Sequence, residues 1–122
     1  MAVQESIAVE ETQEALVVTI LLEHVDYMLI DKLQRRICAQ GTMASKSNVI
    51  LDFRHVGHVS SMLMGALVKM LTKLGEDGRR FSLVGINQRI RGSFKMMRID
   101  TLFEVHETLE DAQSVLAAPQ GC

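Results

Sequence analysis

The order of apolar segments predicts an α/β fold, with a mostly parallel sheet of four to five strands and helices packed on it. Short apolar runs rich in β-branched residues are typical of strands covered on both faces, and Ala15–Leu22 is the clearest example. Longer segments with apolar residues every three or four positions are typical of amphipathic helices. Because the two patterns alternate, we expect parallel strands joined by helical crossovers.

Length and composition are those of one small globular domain. The chain has 122 residues, and we expect a single domain over 1–122, with a core at about 5–117 and a frayed tail at 118–122. Hydrophobic residues make up 48% and charged residues 23%. The net charge of −2 gives no overall positive field, so neither nucleic acid nor a membrane surface is expected as a partner.

Five segments match the strand pattern. The first is expected at the edge of the sheet, and the second and third in its centre. In order they are Ser6–Val9, Ala15–Leu22, Val49–Phe53, Arg79–Ile86 and Leu102–Val105.

Four segments match the helix pattern. In the first, Asp26 is a plausible N-cap, Leu29, Leu33 and Ile37 form an apolar stripe with Ile30, and Gly41 is the expected end. A polar loop over 42–48 follows. The second helix carries a stripe of Leu63, Leu67, Met70, Leu71 and Leu74 and is expected to end at Gly75. The last two are Gln88–Met97, with a basic face, and Thr108–Leu116, with a capping-box-like start.

Cysteine usage and the first residues favour a reduced, cytoplasmic protein. Cys38 and Cys122 form no disulfide framework and no zinc-type spacing. The start, MAVQESIAVEE, lacks the basic and apolar regions of a signal peptide. The segment Gly75–Gly78 lacks the Lys-Ser/Thr of a phosphate loop. We therefore expect no cofactor, metal or nucleotide hydrolysis.

The most informative stretch runs from Val49 to Leu67, where a strand ends, the chain turns and two serines open a helix. Ligands and partners of α/β domains meet the carboxyl ends of strands, and a helix N-terminus favours an anion. A serine here is either a helix cap or a phosphorylation site, because a phosphate at this position is favoured electrostatically.

Other side chains near the serines have open interpretations. Met62 and Met64 are either partly buried or form an adaptable apolar patch around Ser61. His55 and His58 have only Asp52 nearby as a further ligand, so a metal site is disfavoured. His58 has no third residue to orient it as a base for serine, so hydrolase chemistry is disfavoured as well. With Arg54, the two histidines are expected to shape a loop that contacts a partner or a phosphate.

One basic run stands out further along the chain. The expected role is a solvated face, with an anionic partner surface or RNA as the alternative, although few aromatic residues are present for base stacking. Its members are Arg79, Arg80, Arg89, Arg91, Lys95 and Arg98.

The stretch resembles the signature of the STAS domain, as in bacterial anti-sigma factor antagonists. Val49–Asp52 matches the family's strand, and Val59–Gly65 matches its Asp-Ser-(Ser/Thr/Ala)-Gly-Leu-Gly run. Ser61 falls on the phosphorylated serine and Ser60 on the aspartate before it. Met62 and Leu63 depart from the family's small residue and glycine, while Gly65 keeps the later glycine. The order of elements and the ending TLEDAQSVL also fit.

The resemblance implies a partner-switching regulator without catalysis of its own. The unphosphorylated chain would bind an anti-sigma factor that is also a serine kinase, phosphorylation of Ser61 would release it, and a phosphatase would reset the switch. The expected binding surface comprises His58, Ser60, Ser61, Met62, Met64 and Gly65. Two alternatives remain: an unphosphorylated STAS scaffold in a signalling or lipid-transport complex, and a small enzyme using Ser61 and His58.

Overall fold

The structure, a computed structural model, describes residues 2–4, 6–12, 15–43 and 48–117. Its sheet has six strands in the order β1-β2-β3-β4-β5-β6. The first two pairings are antiparallel and the remaining three are parallel. The strands are β1 (Ala2–Gln4), β2 (Ile7–Glu11), β3 (Leu16–Ile20), β4 (Val49–Asp52), β5 (Phe81–Val84) and β6 (Glu104–His106).

The predicted α/β class and mostly parallel sheet are confirmed, with one strand more than expected. The additional strand β1 pairs with β2, so that Ala2 lies opposite Val9. The prediction that the Ser6–Val9 segment forms an edge strand is therefore wrong, because β2 lies between β1 and β3.

Four helices complete the fold, and each occupies the region predicted for it. The described helices are α1 (Tyr27–Met43), α2 (Ser61–Glu76), α3 (Gln88–Met96) and α4 (Leu109–Ala117). None of them is long and apolar enough to cross a membrane. Gly41 does not end α1, and Gly75 does not end α2, which continues to Glu76. The rest of the predicted polar loop at 44–47, and the predicted tail at 118–122, lie outside the described residues.

The helices cover the sheet on both faces. Alternate strand residues such as Val18 and Leu51 join one apolar cluster with the stripes of α1, α2 and α3. Their neighbours Val17 and Ile50 join a smaller cluster with Ala112 of α4. Because successive strand residues point to opposite faces, a strand buried on both faces is apolar at most of its positions, which explains the apolar runs that begin β3 and β4.

Candidate functional site

The loops that follow β3, β4 and β5 meet at one edge of the sheet, because parallel strands place their carboxyl ends together. The amide of Gly57, in the β4–α2 loop, donates to the carbonyl of Glu23 in the β3–α1 loop at 3.0 Å. On the other side, Nδ2 of Asn87, in the β5–α3 loop, donates to the carbonyl of Gly57 at 3.0 Å. The chain leading to the serine pair is thus held from both sides.

The two serines have different structural roles. Ser60 is the N-cap of α2, with extended backbone angles, and its hydroxyl oxygen accepts from the amide of Leu63 at 3.1 Å. Ser61 is the first helical residue and is exposed. No hydrogen bond joins the Ser61 hydroxyl to any other described residue. The helix is therefore capped without Ser61, and the Ser61 hydroxyl is open to solvent.

The start of α2 favours a negative charge on Ser61. The first turn of the helix contains no acidic residue. The amides of Leu63 and Met64 bond to Ser60, which leaves the earliest amides of the helix to face an added group. These amides and the positive end of the helix dipole stabilise an anion.

The histidine before the serines packs against another histidine. The rings of His58 and His24 meet edge to face, with centroids 4.3 Å apart. Within the described part of the chain, no hydrogen bond connects His58 to either serine. His58 therefore contributes to the packing of the two loops and is not arranged as a base for Ser61.

Asp52, at the end of β4, fixes the turn that follows it. Its side chain is 0% exposed and accepts from the Arg54 amide at 2.9 Å and from Arg54 Nε at 2.8 Å. Gly85 packs against this turn with φ +71°, and a Cβ at Gly85 would lie 2.7 Å from Arg54 Cγ. Because Asp52 is buried and both of its oxygens bond to Arg54, it is poorly placed to share a metal with the histidines. The described residues contain no group of three His, Cys, Asp or Glu side chains arranged for a metal.

A groove between α1 and α2 adjoins Ser61. Its volume is about 330 Å³, and its lining includes Tyr27, Ser61, Met62, Gly65 and Lys69, which we call the Ser61 surface. Tyr27 and Met62 are 68% and 61% exposed, which is high for large apolar side chains. Contiguous exposed apolar surface, unlike a single exposed apolar side chain, is typical of a protein-binding surface.

The structure brings together most of the predicted binding residues and removes one. Ser61, Met62 and Gly65 all line the groove, and Ser60 precedes them as the cap. Met64 is wrong as a surface residue: it is 6% exposed because its position on α2 turns it into the core. Each of the two interpretations therefore applies to one methionine. Met64 is buried, and Met62 is available to a partner.

Sequence reasoning missed several residues of the site, including Tyr27, Lys69 and Asn87. Tyr27 and Lys69 line the groove, and Asn87 anchors the β4–α2 loop. Tyr27 carried a usable signal, since it directly follows the Asp26 cap and lies off the buried stripe of α1. The contact of Asn87 with Gly57 had no such signal, because the two residues are 30 positions apart in the sequence.

The basic run does not form one solvated face. Arg79 is buried, and Arg80 pairs with Glu104 of β6, with 2.6 Å between Nη2 and Oε2. The other four members are exposed and lie on or just after α3: Arg89, Arg91, Lys95 and Arg98.

Comparisons with known proteins identify the family. The family model of the STAS domain matches residues 2–112. The chain therefore belongs to the STAS domain family, as the resemblance of its Val49–Gly65 stretch implied.

Solved structures show the same fold at low sequence identity. A candidate anti-sigma factor antagonist from Thermotoga maritima has a TM-score of 0.82 at 13% identity, covering 92% of this chain and 95% of that one. Unphosphorylated SpoIIAA, an anti-sigma factor antagonist of Bacillus, has a TM-score of 0.77 at 16% identity, covering 94% and 100%. An anti-sigma factor antagonist from Mycobacterium paratuberculosis has a TM-score of 0.78 at 22% identity, covering 93% and 94%.

Proposed function

We propose that this chain is a partner-switching regulator of the anti-sigma factor antagonist type. Its unphosphorylated form binds an anti-sigma factor that is also a serine kinase, and phosphorylation of Ser61 releases that partner. A phosphatase restores the binding form. The chain acts as substrate and binding partner in this cycle and needs no catalytic residue or cofactor of its own.

The observation that carries the proposal is that the two serines have different structural roles. Ser60 caps α2, so the Ser61 hydroxyl is free for modification at an exposed helix start. A kinase must reach the hydroxyl that it phosphorylates, and a partner whose binding is switched must cover the same position. Ser61 satisfies both conditions because it also lines the groove beside Met62 and Tyr27.

The same geometry explains how phosphate would act as a switch. A phosphoserine carries nearly two negative charges and is stabilised by the free amides of α2 in water. Burying that charge against a partner across the apolar Tyr27 and Met62 side chains would cost desolvation without a compensating cation from the partner. Phosphorylation is thus compatible with the free protein and opposes the complex.

The test measures binding and phosphorylation with one purified ATP-binding anti-sigma kinase, captured from a lysate of the source organism by the wild-type chain. With Mg-ATP, mass spectrometry should find the phosphate on Ser61. The Ser61→Asp variant should bind at least about tenfold more weakly in calorimetry, since a buried unpaired charge costs well over 1 kcal/mol. Ser61→Ala should bind like the wild type and accept no phosphate.

Two matched variants make the result specific. Thr72→Asp adds the same charge at an exposed position further along α2, and should leave affinity unchanged. Ser60→Ala should still be phosphorylated at Ser61. Phosphate on another residue, or equal affinity of wild type and Ser61→Asp, would contradict the switch.

Equal capture of partners by wild type and Ser61→Asp would instead favour the constitutive scaffold. A chain of similar fold forms part of the stressosome, described as a signal integration and transduction hub, which makes this the relevant alternative. In that case Ser61 would be an ordinary first-turn residue of α2.

A further inference from the structure

A second cavity lies beside α3 and shares no lining residue with the Ser61 surface. It has a volume of about 410 Å³, is open to solvent, and is lined by residues of α3, the β5–α3 loop, the segment after α3 and β6. Its size is within the range of small-molecule sites in proteins. Neither the STAS fold nor the proposed switch at Ser61 requires such a cavity.

The cavity combines an apolar floor with a cationic rim. Ile86, Phe94 and Val105 supply apolar surface, and all three belong to or pack against the main core. Arg91 and Lys95 lie one helical turn apart on α3 and line the same cavity. An apolar body can therefore rest on the floor while an anionic group reaches the rim.

The two cations are free to bind a ligand. Within the described residues, neither Arg91 nor Lys95 forms an ion pair within the chain. Helix α3 contains three cations and no acidic residue. Asp100 is the one carboxylate among the lining residues, and it can accept a hydrogen bond from a donor on a ligand.

A glycine lies in the lining of the cavity. Gly92 lines it together with Arg91 and Lys95, and a Cβ built on Gly92 meets no atom within 4 Å. Glycine inside a helix costs about 1 kcal/mol relative to alanine. A leucine at this position would favour the helix, and its side chain would occupy part of the space beside Arg91 and Lys95.

We propose that the α3 cavity binds a small organic anion, a carboxylate or a phosphate monoester with an apolar body. Arg91 and Lys95 hold the anionic group, and Ile86, Phe94 and Val105 contact the apolar body. The site is separate from Ser61 and independent of the proposed switch.

The test uses the full, isotope-labelled chain and four probes followed by amide shifts in NMR spectra. The probes are 3-phenylpropanoate, phenyl phosphate, inorganic phosphate and the uncharged 3-phenylpropanamide. At least one of the first two should shift the amides of Gly92, Lys95 and Val105, and which one binds more tightly distinguishes carboxylate from phosphate. The uncharged amide and inorganic phosphate should each bind at least about tenfold more weakly, because the amide lacks the anionic group and inorganic phosphate lacks the apolar body.

Variants of α3 assign the binding to the cavity. Arg91→Gln and Lys95→Gln should each raise the dissociation constant about tenfold, while Arg89→Gln, an exposed cation outside the lining, should not change it. Gly92→Leu should abolish the shifts and keep the fold. Gly75→Leu is its control, because Gly75 is also helical and unobstructed but lies in α2.

Three results would overturn the proposal. The first is unmoved cavity amides with both organic anions at millimolar concentration. The second is equal binding of 3-phenylpropanamide, and the third is binding that survives Gly92→Leu.

Discussion

Helices α2 and α3 both follow a parallel strand at the same edge of the sheet, and both begin with a polar cap in extended backbone. Ser60 accepts from the Leu63 amide at 3.1 Å, and Asn87 accepts from the Ile90 amide at 2.8 Å. Beyond the cap the two starts differ. Ser61 follows Ser60 and lines a groove beside the exposed Met62, whereas the first turn of α3 carries Arg89 and Arg91.

The caps themselves also do different work. The Ser60 side chain serves only its own helix among the described residues, while Asn87 caps α3 with Oδ1 and holds the β4–α2 loop with Nδ2. The N-cap of α2 thus leaves the neighbouring Ser61 hydroxyl free. The N-cap of α3 also joins the β5–α3 loop to the β4–α2 loop. A neutral first turn suits a site that gains charge by modification, and a cationic helix suits a site that binds charge already present on a ligand.

The two helices also differ in how many of their residues are buried in the core. Six residues of α2 are buried, and only Ile90 and Phe94 of α3. We expect Leu67→Ala in α2 to destabilise the chain by about 2–5 kcal/mol, since it opens a cavity in the core. Met96→Ala in α3, at an exposed side chain, should change stability by less than about 0.5 kcal/mol.

Urea unfolding of both variants measures this contrast. Similar losses of stability for Leu67→Ala and Met96→Ala would contradict the deep anchoring of α2. The Ser61 surface would then not be presented on a rigid helix.

The sequence predicted the elements whose pattern is local. The apolar stripe of α1 and the cap at Asp26 appear as expected, with the Leu29 amide bonded to Asp26 Oδ1 at 2.9 Å. The short apolar runs of β3 and β4 were predicted because burial on both faces favours apolar residues at successive positions. Strand β1 was missed because a three-residue strand shows too little alternation to be recognised.

The site was predicted only in part, for two physical reasons. Which of two adjacent serines caps a helix depends on where its first turn begins, and this offset of one residue also decides that Met64 is buried and Met62 exposed. The α3 cavity and the Asn87 contact depend on residues that are distant in sequence. Periodicity along one element cannot reveal such contacts.

Changing Asn87 would separate its two functions. Asn87→Ala removes the cap and the bond to Gly57, so we expect a loss of about 1–3 kcal/mol. Asn87→Asp keeps an acceptor for the Ile90 amide and loses the donor, so about 0.5–1.5 kcal/mol should be lost. Thermal unfolding measures both. An Asn87→Asp variant as stable as the wild type would show that the bond to Gly57 contributes nothing.

Alanine substitutions would sharpen the distinction between the serines. Ser60→Ala should cost about 1 kcal/mol, because it leaves the Leu63 amide without its side-chain acceptor. Ser61→Ala should change stability by less than about 0.5 kcal/mol, since its hydroxyl bonds to no described residue. Equal losses in calorimetric unfolding would contradict the assignment of Ser60 as the cap and Ser61 as the free hydroxyl.

The smallest expected change in stability concerns Glu104, which pairs with Arg80 at the start of β5. This end of the strand is opposite to the one that leads to α3. Burial disfavours ionisation of Glu104, but hydrogen bonds and charge from Arg80 and His106 outweigh it and hold the Glu104 pKa below its usual 4.5. A lowered pKa in the folded state means that the unfolded chain binds more protons under acid conditions. The stabilisation is therefore present above about pH 4.5 and is lost as the pH falls through the folded-state pKa of Glu104.

Denaturation of the wild type and Glu104→Gln at a series of pH values would isolate this contribution. The wild type should lose stability more steeply below pH 4.5, by less than about 1 kcal/mol because the pair is partly exposed. Other carboxylates titrate in both proteins, so only the difference between the two curves reports on Glu104. Parallel curves would show that the charge on Glu104, and hence its pair with Arg80, contributes nothing to the stability of the fold.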